Sequence, residues 1–281
     1  MEPAHEKPAT KPSPPLALAL AALAGMASSC AALRPAREPI PALSYPAAPS
    51  PAPCLLVLLP GRWDRPEDFE RRGFLADLTT AGVAADAVAV DAHLGYYRRG
   101  SILTRLRQDV LEPARRTGHR AIWLVGISMG GTGAILYDFN HPGEVDGIFL
   151  IAPFLGETAI VHEVESAGGV TGWQDSGSVG KPFERELWRW AQRIAAADAD
   201  RPPVLLGYGA GDDFAPAHRL LARVLPPARV FVEPGGHDWH PWRAAWRRFL
   251  ASQELAPCRP SAALARSTSP PPVRDNGREH G

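Results

Sequence analysis

The sequence predicts an α/β fold in which helices cover both faces of a doubly wound, mostly parallel sheet. Apolar runs of strand length recur along the chain, at residues 54–59, 87–90, 121–127, 147–152, 204–208 and 229–232. Their apolar residues are continuous rather than alternating, which is typical of strands covered on both faces. Segments with helical spacing separate the runs, and this alternation predicts parallel strands joined by right-handed crossovers.

The composition indicates one folded domain with tails. The chain has 281 residues, of which 45% are hydrophobic, and this is enough for a single core of roughly 200–250 residues. Lys and Arg together number 30, as do Asp and Glu. Because nucleic-acid binding needs a clustered excess of cations, we expect no nucleic-acid partner.

Residues 1–30 are predicted to be a signal or lipoprotein-like leader. Two lysines precede an apolar run at residues 16–26, which is too short to span a bilayer but suits a signal peptide. The small residues before Cys30 resemble a bacterial lipoprotein cleavage box, although Ala27 stands where Leu is usual. We therefore expect export, to the periplasm or to a membrane through a lipidated Cys30. An ordinary cleaved signal and an uncleaved leader on a cytoplasmic protein are the alternatives.

Two further segments differ in composition from the predicted domain, residues 54–256. Residues 31–53 are rich in Pro and Ala, which predicts a linker with room for one short edge strand at residues 39–45. Residues 257–281 are rich in Pro, Ser and Arg without an apolar period, which predicts a disordered tail.

Two cysteines flank the predicted domain. Cys54 begins the first apolar run and Cys258 follows the last predicted helix. They would pair in an oxidising compartment. The alternative is two unpaired thiols.

Helical patterns fill the intervals between the strands, at residues 67–80, 101–116, 129–140, 215–224 and 241–252. Apolar residues recur there at spacings of three, four and seven. One interval, roughly residues 154–202, is much longer than a crossover needs and includes a Trp-rich helix. Long excursions of this kind are usually functional loops or lids.

A G-x-S-x-G motif lies between a predicted strand and a predicted helix. Residues 126–130 read GISMG, and this context is typical of a nucleophile elbow, in which Ser128 occupies a sharp turn. The helix N-terminus beneath it offers N–H groups to an oxyanion. The motif has no Lys for a P-loop and lacks the order of a dinucleotide-binding loop. The alternative is a structural glycine turn.

A serine nucleophile needs a base and a carboxylate that orients the base. Ligand sites of doubly wound sheets form in loops at the carboxyl ends of strands. Two such loops carry the required side chains, namely Asp212 after residues 204–208 and His237 after residues 229–232. Asp213 is the rival for the acid.

The chain resembles the α/β-hydrolase superfamily over roughly residues 54–252, and within it the bacterial esterase-like members. The resemblance rests on LPG after the first core strand, G-x-S-x-G, G-x-x-D after a late strand, and PGGHDW before the last helix. It implies an α/β-hydrolase fold with a short insertion, or cap, before the acid-bearing strand. It also implies Ser128 as nucleophile, His237 as general base and Asp212 as the residue that orients it.

An oxyanion hole needs two N–H donors aimed at the developing charge. One donor is expected from Met129, the residue after the nucleophile. The second is expected from the turn after the first core strand, where Pro60 has no N–H. We therefore predict the backbone N–H of Arg62, with Gly61 as the alternative.

The substrate pocket is predicted to be lined by Trp63, His93, Tyr96 and Phe154, whose rings suit a partly apolar acyl or alcohol group. His240 lies three residues after His237, but no third ligand cluster accompanies the pair. We therefore expect no metal and no cofactor.

The sequence thus predicts a serine hydrolase that cleaves carboxylic esters through a Ser-His-Asp triad and an acyl-enzyme intermediate. The expected partner is a small-molecule ester. A thioesterase, an amidase or peptidase, and an acyltransferase would use the same triad. A non-catalytic binding protein that keeps the elbow as scaffold is the remaining alternative.

Overall fold

The computed structural model describes residues 34–196 and 201–259. The predicted leader with Cys30 and nearly all of the predicted C-terminal tail lie outside these residues. Of the helices in the described ranges, none is long and apolar enough to cross a membrane.

The described residues form a sheet of seven strands in the order β1-β3-β2-β4-β5-β6-β7. The strands are β1 (Ala42–Tyr45), β2 (Cys54–Leu59), β3 (Ala85–Val90), β4 (Ala121–Ile127), β5 (Gly147–Ile151), β6 (Val204–Gly209) and β7 (Val230–Glu233). Only β1 runs antiparallel to its neighbour. The predicted doubly wound, mostly parallel sheet is confirmed.

Helices cover both faces of the sheet, so the central strands are buried throughout. Every residue of β2 and β5 is buried, as continuous apolar runs require. The helices are α1 (Pro66–Arg71), α2 (Phe74–Thr80), α3 (Leu94–Arg99), α4 (Ile102–Arg105), a π-helical turn (Leu106–Leu111), α5 (Glu112–Arg116), α6 (Met129–Asn140), α7 (Thr158–Ser166), α8 (Pro182–Ala195), α9 (Ala215–Ala222) and α10 (Trp239–Ala251).

The helix predicted at residues 215–224 ends at Ala222, and the one predicted at residues 101–116 contains a π-helical turn. Two further differences from the predicted bounds have a local cause. Residues 67–80 form two helices rather than one, because Gly73 lies between them at φ 83°, and a left-handed residue cannot continue a right-handed helix. The last helix begins at Trp239 rather than at residue 241. Its N-cap is Asp238, whose side chain accepts the His240 N–H at 2.9 Å.

The segment predicted to be a linker packs on the domain as far as the structure describes it, from residue 34 to residue 53. Its strand β1 forms the edge of the sheet and pairs with β3, so it covers β3 backbone groups that would otherwise be unpaired. The Ile40 side chain is buried, and its N–H donates to Asp109 Oδ2 at 2.8 Å. The Ala47 N–H donates to Asp86 Oδ1 at 2.7 Å. Proline content predicted a linker because composition does not reveal these long-range contacts.

The C-terminal boundary also lies later than predicted. A 3₁₀ helix spans Gln253–Cys258, and Cys258 is buried in a disulfide with Cys54, the first residue of β2. Of the two alternatives left by the sequence, the structure contains the disulfide. The bond anchors the residues after α10 to β2, an inner strand of the sheet.

The long insertion contains α7 and α8, and its tryptophans face inward. Trp188 and Trp190 are buried, and the Trp190 indole N–H donates to Asp138 Oδ2 of α6 at 2.7 Å. These two side chains therefore cover the core rather than line an open pocket.

Removing the disulfide is expected to destabilise the domain. Replacing both Cys54 and Cys258 by Ala lowers the free energy of unfolding by about 2–5 kcal/mol, because the bond joins residues 204 positions apart and so constrains nearly the whole unfolded domain. Urea unfolding of oxidised wild type and the double variant measures the difference. Each single variant serves as a control and should nearly match the double variant. Equal unfolding midpoints for wild type and the double variant would contradict the expectation.

Candidate active site

Ser128 occupies a strained turn between β4 and α6. Its backbone angles are φ 51° and ψ −112°, a conformation that residues other than glycine adopt rarely and at a cost of about 1–3 kcal/mol. The Ser128 N–H donates to the Ile151 carbonyl at 2.9 Å, and its carbonyl accepts the Phe154 N–H at 3.1 Å. The end of β5 and the residues after it thus hold the turn in place.

The glycines of the motif are required by close backbone approach. A Cβ on Gly130 would stand 2.1 Å from the Leu59 carbonyl oxygen, and one on Gly126 would stand 2.4 Å from the Gly130 carbonyl oxygen. Neither glycine position has room for a side chain. The spacing G-x-S-x-G therefore lets α6 start directly beneath the serine.

Three side chains from three loops form a continuous hydrogen-bonded chain. Ser128 Oγ lies 3.0 Å from His237 Nε2, and His237 Nδ1 lies 2.8 Å from Asp212 Oδ2. Asp212 also accepts the Phe214 N–H at 2.8 Å. Asp213, the rival from the sequence, is exposed, and the carboxylate at the His237 ring is that of Asp212.

The electrostatics of these three hydrogen-bonded side chains favour one distribution of protons among them. Burial opposes ionisation of Asp212, but hydrogen bonds from His237 and the Phe214 N–H outweigh it and lower the pKa of the Asp212 carboxyl. The ionised carboxylate holds the His237 proton on Nδ1, which leaves the Nε2 lone pair facing Ser128 Oγ. The Asp212 side chain is 0% exposed and that of His237 is 25% exposed. His237 can therefore be reached from solvent, whereas Asp212 cannot.

Aromatic rings hold the imidazole of His237 on two sides. The Phe214 ring lies 5.1 Å and the Trp242 ring 4.9 Å from it, both nearly perpendicular. Phe154 in turn meets Phe214 edge-on at 5.6 Å. Phe154 is half-buried beside this cluster.

His218 is a buried neighbour that sequence reasoning missed. Burial lowers its pKa to about 4, so the ring is neutral at pH 7 and its Nε2 can donate to the Pro153 carbonyl, 2.9 Å away. Pro153 precedes Phe154, whose N–H bonds to Ser128. His218 thus supports the loop behind the serine. No sequence pattern reveals this, because its burial depends on how α9 packs.

The turn after β2 lies directly beside the serine. The Asp64 N–H donates to the Gly61 carbonyl at 3.2 Å and closes the turn. A Cβ on Gly61 would stand 3.7 Å from Ser128 Cβ. Arg62 is the second residue of this turn, and Met129 is the first residue of α6. The turn after β2 and the start of α6, which carry the two predicted oxyanion donors, therefore both adjoin Ser128.

Trp63, one of the predicted pocket residues, is the third residue of this turn and lies at the surface. It is 63% exposed, and the Arg62 guanidinium lies 4.8 Å from its ring centroid. The pair therefore belongs to the turn that adjoins Ser128.

Two predicted pocket residues, Tyr96 and His93, are buried and make structural hydrogen bonds instead. Tyr96 is fully buried, and its hydroxyl accepts the Arg37 N–H at 2.9 Å and donates to the Arg37 carbonyl at 3.0 Å. His93 is also buried and caps α3 by accepting the Gly95 N–H at 3.1 Å. The prediction that these two line the pocket is wrong, because the N-terminal segment covers them.

The described residues contain no candidate metal site. They hold no group of three or more His, Cys, Asp or Glu side chains that could bind a metal ion. The His240 side chain is exposed, and its backbone N–H bonds to Asp238.

Comparisons with known proteins agree with this architecture. A sequence model described as "Alpha/beta hydrolase family" matches residues 56–274. No curated protein sequence matches the chain.

Several solved structures share the fold. S-formylglutathione hydrolase (FrmB) from Staphylococcus aureus is 17% identical, with a TM-score of 0.50 over 73% of this chain and 82% of its own. A ferulic acid esterase is 16% identical, with a TM-score of 0.52 over 75% and 87%. Est1E from Butyrivibrio proteoclasticus is 15% identical, with a TM-score of 0.50 over 76% and 94%. At such identities the similarity establishes the fold alone.

Proposed function

Because the chain belongs to the alpha/beta hydrolase family, we propose that it is a serine hydrolase that cleaves carboxylic esters through an acyl-enzyme intermediate. One observation carries the proposal: an unbroken hydrogen-bonded chain runs from Ser128 Oγ through His237 to the buried Asp212. That chain begins on a strained turn above a helix N-terminus. Few structural roles for a serine call for this combination.

The mechanism follows from the geometry. Ser128 Oγ attacks the ester carbonyl while His237 Nε2 takes its proton, and Asp212 stabilises the resulting imidazolium. The N–H groups of Met129 and Arg62 bind the oxyanion of the tetrahedral intermediate. His237 then protonates the departing alcohol. Water attacks the acyl-enzyme by the same steps and releases the acid.

The surroundings of the serine favour a small ester with a partly apolar group. Trp63, on the turn that adjoins Ser128, and Phe154, beside His237, offer aromatic surface. The inward-facing tryptophans of the insertion argue against a large apolar lid of the kind that triglyceride hydrolysis would require. Esters of short to medium acyl length are therefore the proposed substrates.

We further propose that the protein is exported and that Cys30 is lipidated, which would attach it to a membrane. The leader pattern motivates this proposal, and the Cys54–Cys258 disulfide supports it. Disulfides of this structural kind persist in oxidising compartments and are rare in the reducing cytosol.

The triad proposal predicts which of the two adjacent carboxylates, Asp212 or Asp213, activity requires. Ser128→Ala should lower kcat on p-nitrophenyl esters by about 10⁶-fold, and Asp212→Asn by about 10⁴-fold because the histidine then takes the wrong tautomer. Asp213→Asn is the matched control and should retain wild-type activity. A fluorophosphonate probe should label wild type but not Ser128→Ala. Equal turnover by wild type and Ser128→Ala would rule out Ser128 as the nucleophile.

The oxyanion proposal can be tested at one backbone N–H. Arg62 is the second residue of the turn that starts at Gly61, a position where proline is favoured. Arg62→Pro removes the donor without opposing the turn and should lower kcat by about 100- to 1,000-fold. Arg62→Ala keeps the N–H and should have a much smaller effect. If steady-state kinetics find the two variants equally active, Arg62 is not the donor.

The export proposal predicts the mature N-terminus. Mass spectrometry of the protein from a bacterial host with lipoprotein processing should find Cys30 as the first residue, carrying a lipid adduct. Cys30→Ala should abolish the adduct and release the protein from the membrane fraction. Recovery of the wild-type chain with an intact Met1 would contradict both cleavage and lipidation.

A further inference from the structure

The three residues that follow β5, numbered 152–154 and here called the β5 loop, form a strained segment beside the nucleophile. Ala152 has a φ of 45°. In the part of the chain that the structure describes, Ser128 is the one other residue that has a positive φ without being glycine. Residues with a side chain adopt this conformation only where their surroundings hold it. Two strained residues thus lie on adjoining segments of the site.

Both N–H groups of the β5 loop are hydrogen-bonded. The Ala152 N–H donates to the Gly207 carbonyl of β6 at 2.7 Å, and the Phe154 N–H donates to the Ser128 carbonyl at 3.1 Å. Pro153, between them, has no N–H. The loop is therefore fixed to the sheet at its first residue and to the nucleophile at its last.

Pro153 accounts for a glycine that follows the G-x-S-x-G motif without belonging to it. A Cβ on Gly131 would stand 2.8 Å from Pro153 Cβ, so no side chain fits at this position while Pro153 stays in place. Pro153 is buried. The β5 loop therefore packs against the first turn of α6 as well as against Ser128.

Thr132 closes a ring of hydrogen bonds around the backbone of the nucleophile. Its hydroxyl donates to the Phe154 carbonyl at 2.7 Å. Its N–H donates to the Ser128 carbonyl at 3.2 Å, and the same carbonyl accepts the Phe154 N–H. Thr132 is buried. Its hydroxyl thus ties the last residue of the β5 loop to the helix that starts at the nucleophile.

His218 holds the middle of the β5 loop from α9. Its Nε2 lies 2.9 Å from the Pro153 carbonyl, and Nε2 must carry the proton because a carbonyl only accepts. The ring is fully buried, and its Nδ1 has no hydrogen-bond partner among the described residues. The Pro153 carbonyl is therefore the hydrogen-bond partner that fixes this imidazole.

Phe154 connects the backbone of the nucleophile with the ring of the base. Its N–H bonds to Ser128, and its ring meets Phe214 edge-on at 5.6 Å. The Phe214 ring in turn lies 5.1 Å from the His237 ring. A displacement of the β5 loop would therefore act on both partners of the hydrogen bond between Ser128 Oγ and His237 Nε2.

We propose that Thr132 and His218 are positioning residues, which hold the β5 loop so that Ser128 Oγ stays aligned with His237 Nε2. This inference rests on the proposed function, because alignment affects turnover only if Ser128 is the nucleophile. The two residues act through the carbonyls of Phe154 and Pro153 rather than through the substrate. Their loss should therefore slow the reaction without weakening substrate binding.

Substitutions at Thr132 in the full-length chain separate its hydroxyl from its shape. Thr132→Val replaces the hydroxyl by a methyl group and should lower kcat on p-nitrophenyl esters by about 10- to 100-fold, because the serine loses its alignment. KM should change little, since the binding surface is intact. Thr132→Ser keeps the hydroxyl and should retain most of the wild-type kcat. Active-site titration with a fluorophosphonate counts the folded enzyme, so a loss of stability alone does not lower this rate.

Substitutions at His218 test the second hold on the same loop. His218→Phe keeps a ring without a donor and should lower kcat in the same direction as Thr132→Val. His218→Gln keeps a donor and should be the more active of the two His218 variants. The double variant Thr132→Val/His218→Phe should lose less than the product of the two single losses, since both substitutions release one loop.

Thr117 offers a matched control for the loss of a threonine hydroxyl. Its hydroxyl donates to the Ala114 carbonyl at 2.8 Å at the end of α5. Thr117 precedes β4 whereas Ser128 follows it, so the two lie at opposite edges of the sheet. Thr117→Val should therefore leave kcat unchanged, alone and in combination with Thr132→Val.

Amide hydrogen exchange tests the hold on the loop without turnover. In Thr132→Val the N–H groups of Ser128 and Phe154 should exchange about 10-fold faster or more, while those of β2 keep their protection. Unchanged exchange at both amides, a wild-type kcat in Thr132→Val, or a Thr132→Ser variant no better than Thr132→Val would overturn the inference. Absence of Ser128-dependent hydrolysis in wild type counts instead against the proposed function.

Discussion

The site depends on one backbone constraint, the left-handed turn at Ser128. Its φ of 51° is costly for a residue with a side chain, and it persists because β5 and the loop after it hold both the N–H and the carbonyl of the serine. The approach of the Leu59 carbonyl to Gly130 leaves no room for a side chain there. The end of β2, the end of β5 and the start of α6 thereby fix the direction of one hydroxyl.

The parallel sheet brings the partners of that hydroxyl to the same edge. Ser128 follows β4, Asp212 follows β6 and His237 follows β7, so residues up to 109 positions apart in sequence meet within hydrogen-bonding distance. Burial then divides their tasks. Asp212 is sealed from solvent beneath the ring of His237, which remains accessible. The geometry suits proton transfer between a serine and an incoming substrate.

Both ends of the described chain close the sheet around this site. Strand β1 covers the edge of β3, and the segment that precedes β1 buries Tyr96 and His93. At the other end, the disulfide of Cys258 fastens the residues after α10 to β2, the strand that precedes the turn at Gly61. Helix α10 begins just after His237, so this anchor stabilises the elements that carry two parts of the site.

The sequence by itself determined the sheet class, the elbow and the order of Ser128, Asp212 and His237, because apolar periodicity and glycine spacing are local signals of strand, helix and turn. Only the tertiary structure decided between the two adjacent aspartates, joined Cys54 to Cys258, and placed the turn at Gly61 beside the serine. It also reversed the expectation for Tyr96 and for the proline-rich segment after residue 33. These outcomes depend on contacts between distant segments, and burial of that kind leaves no periodic trace in the chain.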